Sequence, residues 1–177
     1  MKMTPLKIHG AAVVEIEPLT DERGFFARSF CAQDFKDAGL NLNVMQSNLS
    51  YNIHKGTLRG LHYQAAPKPD PKLVSCIQGR IFDVVVDLRE DSETFYQWSG
   101  LELSADTHKS LFVPPGCAHG FISLTDDAVV HYQMGEVFVA DLARGVRWDD
   151  PAFGIEWPMV PTSMSERDAA YPNFGQG

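Results

Sequence analysis

The sequence predicts an all-β protein, either a sandwich or a barrel, on two observations. Short runs rich in Val, Ile, Phe, Tyr and Leu recur along the 177 residues, and Gly, Pro and Asp separate them at close intervals. Helical patterns are few and short. With 44% hydrophobic residues, a chain of this length suits one well-packed domain that spans residues 1–177.

The elements follow from this alternation of apolar runs and turn residues. A short helix is predicted at residues 32–38, ended by Gly39, and another at 163–170, after the chain becomes turn-rich beyond Pro151. A hairpin is predicted to turn at Gln78-Gly79, because glycine readily adopts the positive φ that such a turn needs. The predicted strands are residues 12–16, 25–30, 44–51, 60–63, 73–77, 80–88, 97–103, 109–113, 120–124 and 129–134.

Charge and cysteine content restrict the partners and the location. The net charge of −8 argues against binding to nucleic acid or to an acidic membrane, since both need a basic surface. No apolar run approaches the roughly 20 residues that span a bilayer, and no export signal is visible. Cys31, Cys76 and Cys117 are odd in number and lack ligand spacing, which favours reduced thiols. We therefore expect a cytoplasmic protein.

The spacing of His62 and Lys72 is the first indication of a binding site. A metal site common in small β-barrels reads His-x-His, then Glu, with Gly seven residues after the Glu. The positions here are His62, Gln64, Lys72 and Gly79. A lysine ammonium only donates hydrogen bonds and repels a cation. This pattern predicts a site for an anion, such as an enolate or a phosphate, and no metal.

The segment Pro114-Pro115-Gly116-Cys117-Ala118-His119 matches the second half of the same barrel signature. Its turn would bring His119 into the cavity that holds His62. Two histidines could bind a metal, but a third ligand and a carboxylate are missing from the expected positions, which disfavours that interpretation.

Several polar residues stand where a plain core strand should be apolar. They are Gln46, Asn48 and Tyr132, and the arginines Arg23 and Arg59 join them as candidates. Taken singly, each has an ordinary interpretation as a strand-face polar residue, a core tyrosine or a surface arginine.

Together, these residues belong to motifs whose order and spacing cover almost the entire chain. The chain resembles the dTDP-4-dehydrorhamnose 3,5-epimerase family in the segments Asp21-Glu22-Arg23-Gly24-Phe25-Phe26, Gln46-Ser47-Asn48, Gly56-Thr57-Leu58-Arg59-Gly60-Leu61-His62-Tyr63-Gln64, Lys72-Leu73-Val74, Phe82-Asp83-Val84-Val85-Val86-Asp87-Leu88-Arg89, Pro114-Pro115-Gly116-Cys117-Ala118-His119-Gly120-Phe121 and Arg144-Gly145-Val146-Arg147-Trp148-Asp149-Asp150-Pro151. The resemblance implies a double-stranded β-helix (cupin-type jelly-roll) barrel, a homodimer, and neither metal nor organic cofactor. The implied substrate is dTDP-4-keto-6-deoxyglucose, whose hydrogens at C3 and C5 are acidified by the C4 ketone.

The resemblance also implies a role for each residue. His62 suits the base, because imidazole has an ordinary pKa near 6.5. Lys72 suits the stabiliser of the enolate oxygen. Tyr132 suits the acid on the opposite face, and a buried tyrosine near a lysine is expected to ionise more readily than one in water. The resemblance places the carboxylate that orients His62 at Asp168. Asp83 is the second candidate for that role. Its ordinary interpretation is a salt bridge to Lys72 or a hydrogen bond to a neighbouring strand.

Substrate binding is predicted for residues outside this catalytic group. Arg23 and Arg59 suit the diphosphate because a guanidinium forks onto phosphate oxygens. Gln46 and Asn48 suit the base or the ribose, Phe26 suits packing on the base, and His119 and Lys72 are also assigned to the substrate. In the family, the segment around Arg23 commonly comes from the partner subunit.

Four positions depart from the family pattern. Many members are acidic where this chain has Arg28 and Ala143, and have tyrosine where it has Val137 and Phe138. These departures leave open a 3-epimerase that inverts one carbon. A ketoisomerase of the cupin type is a second possibility, although it has less need of Tyr132. A third is a non-catalytic barrel that binds a sugar nucleotide, which gives no reason for His62, Lys72 and Tyr132 to occur together.

Overall fold

Two facing antiparallel sheets form the body of the protein in a computed structural model, which describes residues 1–175. In chain order the elements are β1 (Lys2–Pro5), β2 (Ala12–Glu15), β3 (Leu19–Asp21), β4 (Gly24–Phe26), α1 (Ala32–Asp37), β5 (Gln46–Asn52), β6 (Leu58–Gln64), β7 (Lys72–Gln78), β8 (Arg80–Asp87), β9 (Trp98–Ser104), β10 (Lys109–Val113), β11 (Cys117–Ser123), β12 (Ala128–Met134), a 3₁₀ turn (Ala140–Leu142), β13 (Ala143–Gly145) and α2 (Glu166–Ala169).

The first sheet has six strands in the order β1-β2-β10-β7-β12-β5, and the second has five in the order β13-β6-β11-β8-β9. Strands β3 and β4 form a separate two-stranded arm. The prediction of an all-β barrel with a few short helices is confirmed.

The main core lies between the two sheets. Val74, Leu111 and Val130 of the first sheet pack in one cluster with Val85 and Phe121 of the second. Alternate residues of a strand point to the same face, so the inward side chains of both sheets meet. Burying one such side chain contributes roughly 1.5–3 kcal/mol.

Both outer faces are partly covered. Phe35 of α1 packs on the outside of the first sheet with Leu73 and Phe112. The C-terminal segment covers the second sheet, where Phe153 packs in a cluster with Val84 and Val86. Strand β8 is therefore buried on both faces, which explains its continuous apolar run.

The predicted elements differ from the observed ones mainly at sheet edges. The strand predicted at 25–30 ends at Phe26, and the helix predicted at 163–170 is confined to Glu166–Ala169. Strands β1, β3 and β13 were not predicted, because they are three or four residues long and their pairing is set by neighbouring chain segments. The turn at Gln78-Gly79 is confirmed, with a φ of 72° at Gly79.

Within residues 1–175, no helix is both long enough and apolar enough to cross a membrane.

Candidate active site

A cavity of about 460 Å³ opens between the two sheets, within the size range of small-molecule sites. Its charged lining contains more cations than carboxylates, although the chain as a whole is acidic. The lining residues are Asn48, Ser50, Arg59, His62, Tyr63, Gln64, Asp70, Lys72, His119, Phe121, Tyr132, Met134, Phe138, Ala143, Arg144, Ser165, Arg167 and Asp168. Among residues 1–175, no group of three or more His, Cys, Asp or Glu side chains is arranged to hold a metal ion.

His62 is held by a carboxylate from the far end of the chain. Its Nε2 atom lies 2.8 Å from Oδ1 of Asp168, a residue 106 positions later in the sequence. The His62 side chain is 43% exposed and the Asp168 side chain 7% exposed. Because Nε2 is engaged by the carboxylate, Nδ1 is the ring nitrogen left to take a proton.

Asp168 is positioned by its local structure as well as by His62. Ser165 caps α2 and accepts a hydrogen bond from the Asp168 backbone N–H at 3.0 Å, and the Gly60 N–H donates to Oδ2 of Asp168 at 3.2 Å. Burial raises the pKa of the Asp168 carboxyl, but the hydrogen bonds from His62 and Gly60 outweigh it, so the net pKa is lowered. Asp168 is therefore a carboxylate that can steady a protonated His62.

Lys72 forms a buried ion pair with Asp70, a partner that was not predicted. Lys72 Nζ lies 3.1 Å from Oδ2 of Asp70, and both side chains are nearly enclosed. The Gln64 N–H also donates to Asp70, at 3.1 Å. The spacing Asp70-Pro71-Lys72 is visible in the sequence, but nothing in it distinguishes this aspartate from a surface one.

Of the roles predicted for Asp83, the structure shows the hydrogen bond to a neighbouring strand. Its Oδ1 atom lies 2.7 Å from Nε2 of His119, so Asp83 does not orient His62. Lys72 pairs with Asp70 instead. The reason is the sheet register: Asp83 on β8 and His119 on β11 lie on neighbouring strands and both point inward.

Tyr132 lies on β12 of the first sheet, across the cavity from His62 on β6 of the second. The expectation that it ionises readily is wrong in direction. Burial raises the pKa of the Tyr132 hydroxyl well above its usual range, and the nearby Asp83 raises it further. Tyr132 is therefore held in its neutral, proton-donating form.

The predicted binding residues divide into two groups. Asn48 and Arg59 line the cavity, together with His119 and Lys72. The Arg59 Nε donates to Oδ1 of Asn52 at 2.8 Å. Gln46 lies outside the cavity lining, where its Oε1 accepts from the Phe138 N–H at 2.5 Å and so fixes that segment.

Arg23 and Phe26 are also absent from the cavity of their own protomer. Both lie on the arm formed by β3 and β4, and Arg23 pairs with Asp21. Phe26 is 73% exposed. Arg28 lies nearby in a smaller pocket with Phe26, Met1 and Glu17.

Two arginines of the cavity were missed. Arg144 lines it from β13, where its Nη1 donates to the backbone carbonyls of Asp141 and Ala143. Arg167 lies next to Asp168 on α2 and faces the ring of Tyr171 at 5.6 Å. Arg144 is the first residue of a segment that resembles the family, and Arg167 directly precedes Asp168, so these positions were the available signal. Of the departures from the family pattern, Phe138 and Ala143 line the cavity.

Gly60 allows β6 and β11 to approach closely at the centre of the site. Its φ is 134°, and a Cβ there would lie 2.6 Å from the Gly120 Cα. Gly60→Ala is therefore expected to lower the free energy of unfolding by more than the roughly 1–3 kcal/mol typical of a strained backbone, and to reduce activity because the Gly60 N–H holds Asp168. Urea unfolding and turnover measure the two effects.

The matched control for Gly60→Ala is Gly39→Ala. Gly39 also has a positive φ, 74°, but a Cβ there meets no atom within 4 Å. The Gly39→Ala variant should lower the free energy of unfolding only by the cost of backbone strain, and its activity should be unchanged. Equal losses in the two variants would contradict the role of close strand approach.

Comparisons with known proteins agree with this geometry. The model of the dTDP-4-dehydrorhamnose 3,5-epimerase family matches residues 5–176. A dTDP-4-dehydrorhamnose 3,5-epimerase of Methanothermobacter thermautotrophicus is 43% identical, over 91% of this chain and 88% of that protein.

Two crystal structures are similar over nearly their full lengths. The dTDP-4-dehydrorhamnose 3,5-epimerase of Bacillus anthracis, with TDP and PPi bound, has a TM-score of 0.94 and 41% identity over 97% of this chain and 98% of that one. The dTDP-6-deoxy-D-glucose-3,5-epimerase of Legionella pneumophila, in complex with dTDP-4-keto-L-rhamnose, has a TM-score of 0.91 and 35% identity over 97% and 92%. The chain therefore belongs to the dTDP-4-dehydrorhamnose 3,5-epimerase family of isomerases.

Proposed function

We propose that the protein inverts C3 and C5 of dTDP-4-keto-6-deoxyglucose, giving dTDP-4-keto-L-rhamnose. In each inversion His62 removes the proton next to the C4 ketone and an enolate forms. Tyr132 then delivers a proton to the same carbon from the other face, and the ketone returns. Each of these proton transfers uses a side chain of this protein.

The observation that carries the proposal is the placement of His62 and Tyr132 on opposing sheets. A sugar bound between the sheets has an oriented imidazole on one side, paired with Asp168 at 2.8 Å, and a neutral phenol on the other. Inversion needs a base and an acid on opposite faces of the same carbon. A ketoisomerase or a binding barrel does not require this opposition.

Lys72 is the proposed stabiliser of the enolate oxygen. Its ammonium is nearly enclosed in the cavity wall, where a fixed charge acts on developing negative charge with little screening by water. Asp70 would act as a positioning residue, since it holds the ammonium at 3.1 Å.

The nucleotide part would be bound by the remaining polar lining. Arg59, Arg144 and Arg167 offer guanidinium groups to the diphosphate, and none of them forms a salt bridge with a carboxylate in the described residues. Asn48 and His119 offer further hydrogen-bonding groups to the substrate.

Incubation with dTDP-4-keto-6-deoxyglucose in heavy water, followed by NMR of C3 and C5, tests this function. Deuterium and inversion at both carbons support the proposal. Inversion at C3 alone would indicate a 3-epimerase, and a moved carbonyl would indicate a ketoisomerase. No exchange at either carbon would leave a binding protein.

We also propose a homodimer in which each cavity is completed by the partner. Every residue of β3 and β4 is exposed in the protomer, and Arg23 and Phe26 lie outside their own cavity lining. The outer face of the first sheet around β5 is apolar as well, with Leu49, Tyr51 and Ile77 more than half exposed. Such a patch is typical of an interface, and a second copy would cover it.

Mixing two inactive variants tests the shared cavity. Arg23→Ala and His62→Ala dimers should each be strongly impaired. After subunit exchange, a mixed dimer has one cavity with intact His62 and an intact Arg23 from its neighbour, so about a quarter of the wild-type activity should return. If Arg23 serves its own protomer, every cavity of the mixed dimer carries one defect and no activity returns.

We further propose that the protein is a single domain and that it is cytoplasmic. Cys31, Cys76 and Cys117 are free, and burial raises the pKa of Cys76 to about 11 and that of Cys117 to about 12. Both buried groups remain thiols near neutral pH, as suits a reducing compartment.

A further inference from the structure

A second imidazole–carboxylate pair is formed by His119, which lines the cavity, and Asp83, which lies behind it outside the lining. The Nε2 atom of His119 lies 2.7 Å from Oδ1 of Asp83. The two side chains are 5% and 0% exposed, in contrast to the 43% exposure of His62. The proposed inversions use only His62 and Asp168 on the base side, and give this second pair no part in moving protons.

Asp83 has an incomplete set of partners for a buried carboxylate. Its Oδ2 atom is buried and has no hydrogen-bond partner within residues 1–175. Burial raises the pKa of the Asp83 carboxyl, and His119 and Lys72 oppose this only in part. A lone buried carboxylate is costly, so the pair is most stable when it holds one proton, either on the carboxyl or on the imidazole.

The pair lies directly beside the proposed acid. The rings of His119 and Tyr132 are in T-shaped contact, with centroids 6.0 Å apart and planes at 81°. Both side chains line the cavity. Since Nε2 of His119 is engaged by Asp83, Nδ1 is the nitrogen left to exchange a proton on the cavity side.

Two inversions in one binding event create a need for such a pair. After the first inversion His62 holds an extra proton and Tyr132 has become a phenolate. His62 can return its proton to solvent because it is 43% exposed. Burial makes the Tyr132 phenolate unfavourable, so Tyr132 needs a proton donor close by, and His119 is in contact with it.

We propose that the Asp83–His119 pair stores the proton that recharges Tyr132 between the two inversions. The proton passes from Nδ1 of His119 to the phenolate oxygen of Tyr132, and the pair is left with one proton fewer. The pair regains a proton from water after the product leaves. Tyr132 and the pair then supply one proton each, which matches the two carbons to be inverted. This inference rests on the proposed 3,5-epimerisation.

The test is Asp83→Asn in a single turnover of dTDP-4-keto-6-deoxyglucose, quenched at intervals and analysed by NMR. Asparagine keeps the size of the side chain but cannot hold the shared proton. The first inversion should change less than about threefold, whereas the second should slow about 100-fold. The singly inverted sugar should therefore accumulate before the doubly inverted one.

His119→Gln provides a second variant if Asp83→Asn folds poorly, because glutamine donates a hydrogen bond to Asp83 but has no proton to transfer. Asp150→Asn is the matched control: Asp150 is similarly buried, but its hydrogen-bond partners, Ala152 and Phe174, lie outside the cavity lining, whereas His119 lies in it. It should leave the ratio of the two inversion rates unchanged.

Equal slowing of both inversions by Asp83→Asn and His119→Gln, with an active wild type, would overturn the proton-store role alone. A wild-type protein that inverts neither carbon would overturn the proposed function and this inference with it. The two failures are thus distinguished by the wild-type reaction.

Discussion

His62→Ala is expected to abolish hydrogen exchange at C3 and C5, with a loss of at least about 10³-fold in rate. The reason is that His62 combines a free ring nitrogen with a fixed orientation: Asp168 engages Nε2 at 2.8 Å and leaves Nδ1 available. The other cavity histidine, His119, is only 5% exposed and lies against the ring of Tyr132, so it is not placed to replace His62. Deuterium incorporation from heavy water measures the loss.

Tyr132→Phe is the natural comparison, because it leaves the base intact. It should retain some exchange at C3 and C5 while inverting poorly, since the enolate still forms but lacks the acid on the opposite face. Full inversion by Tyr132→Phe would reject Tyr132 as that acid. Exchange by His62→Ala at more than about a tenth of the wild-type rate would place the base elsewhere. Unchanged thermal unfolding of both variants would confirm that the fold is intact.

Asp87→Asn is expected to destabilise the fold by about 3–5 kcal/mol, without touching the cavity. Asp87 is fully buried at the end of β8 and forms a salt bridge with Arg89 at 2.8 Å. Ser92 and Thr94 each donate a hydroxyl hydrogen bond to its Oδ2 at 2.6 Å. Asparagine would leave these donors partly unpaired, and the loop between β8 and β9 would lose its anchor.

Urea unfolding at a fixed protein concentration measures this loss, since a dimer's stability depends on concentration. Asp91→Asn, an exposed change in the same loop, should stay within about 0.5 kcal/mol of the wild type. A loss below about 1 kcal/mol in Asp87→Asn would contradict the anchoring role.

The same carboxylate makes stability depend on pH in a definite direction. Burial raises the pKa of Asp87, but the hydrogen bonds from Arg89, Ser92 and Thr94 outweigh it and hold the pKa far below its usual range. A lowered folded-state pKa contributes stability that is fully present above the unfolded pKa of about 3.9 and is lost as the pH falls below it. The difference in the free energy of unfolding between wild type and Asp87→Asn should therefore shrink below about pH 4.

Local pattern was sufficient for the central strands. Strand Lys109–Val113 has the predicted bounds, because an apolar run between turn residues leaves little freedom. His62, Lys72 and Tyr132 were identified from the sequence through the resemblance of its motifs to the epimerase family, and all three line the cavity.

Contacts across long sequence distances were decided by the tertiary structure. Asp83 and Asp70 look alike in the sequence, yet the sheet register gives Asp83 to His119 and leaves Asp70 to Lys72. The ionisation of Tyr132 was misjudged for the same reason, because its pKa depends on burial and on Asp83 across the barrel.

The sequence by itself determined an all-β barrel, because strand periodicity is a local property, and the resemblance of its motifs to the epimerase family singled out His62, Lys72 and Tyr132. Only the tertiary structure decided which carboxylate pairs with His62 and with Lys72, that Arg23 and Phe26 lie outside their own cavity, and that His62 and Tyr132 stand on opposing sheets. These features depend on contacts between segments that are distant in the sequence, and such contacts form only when the whole chain folds.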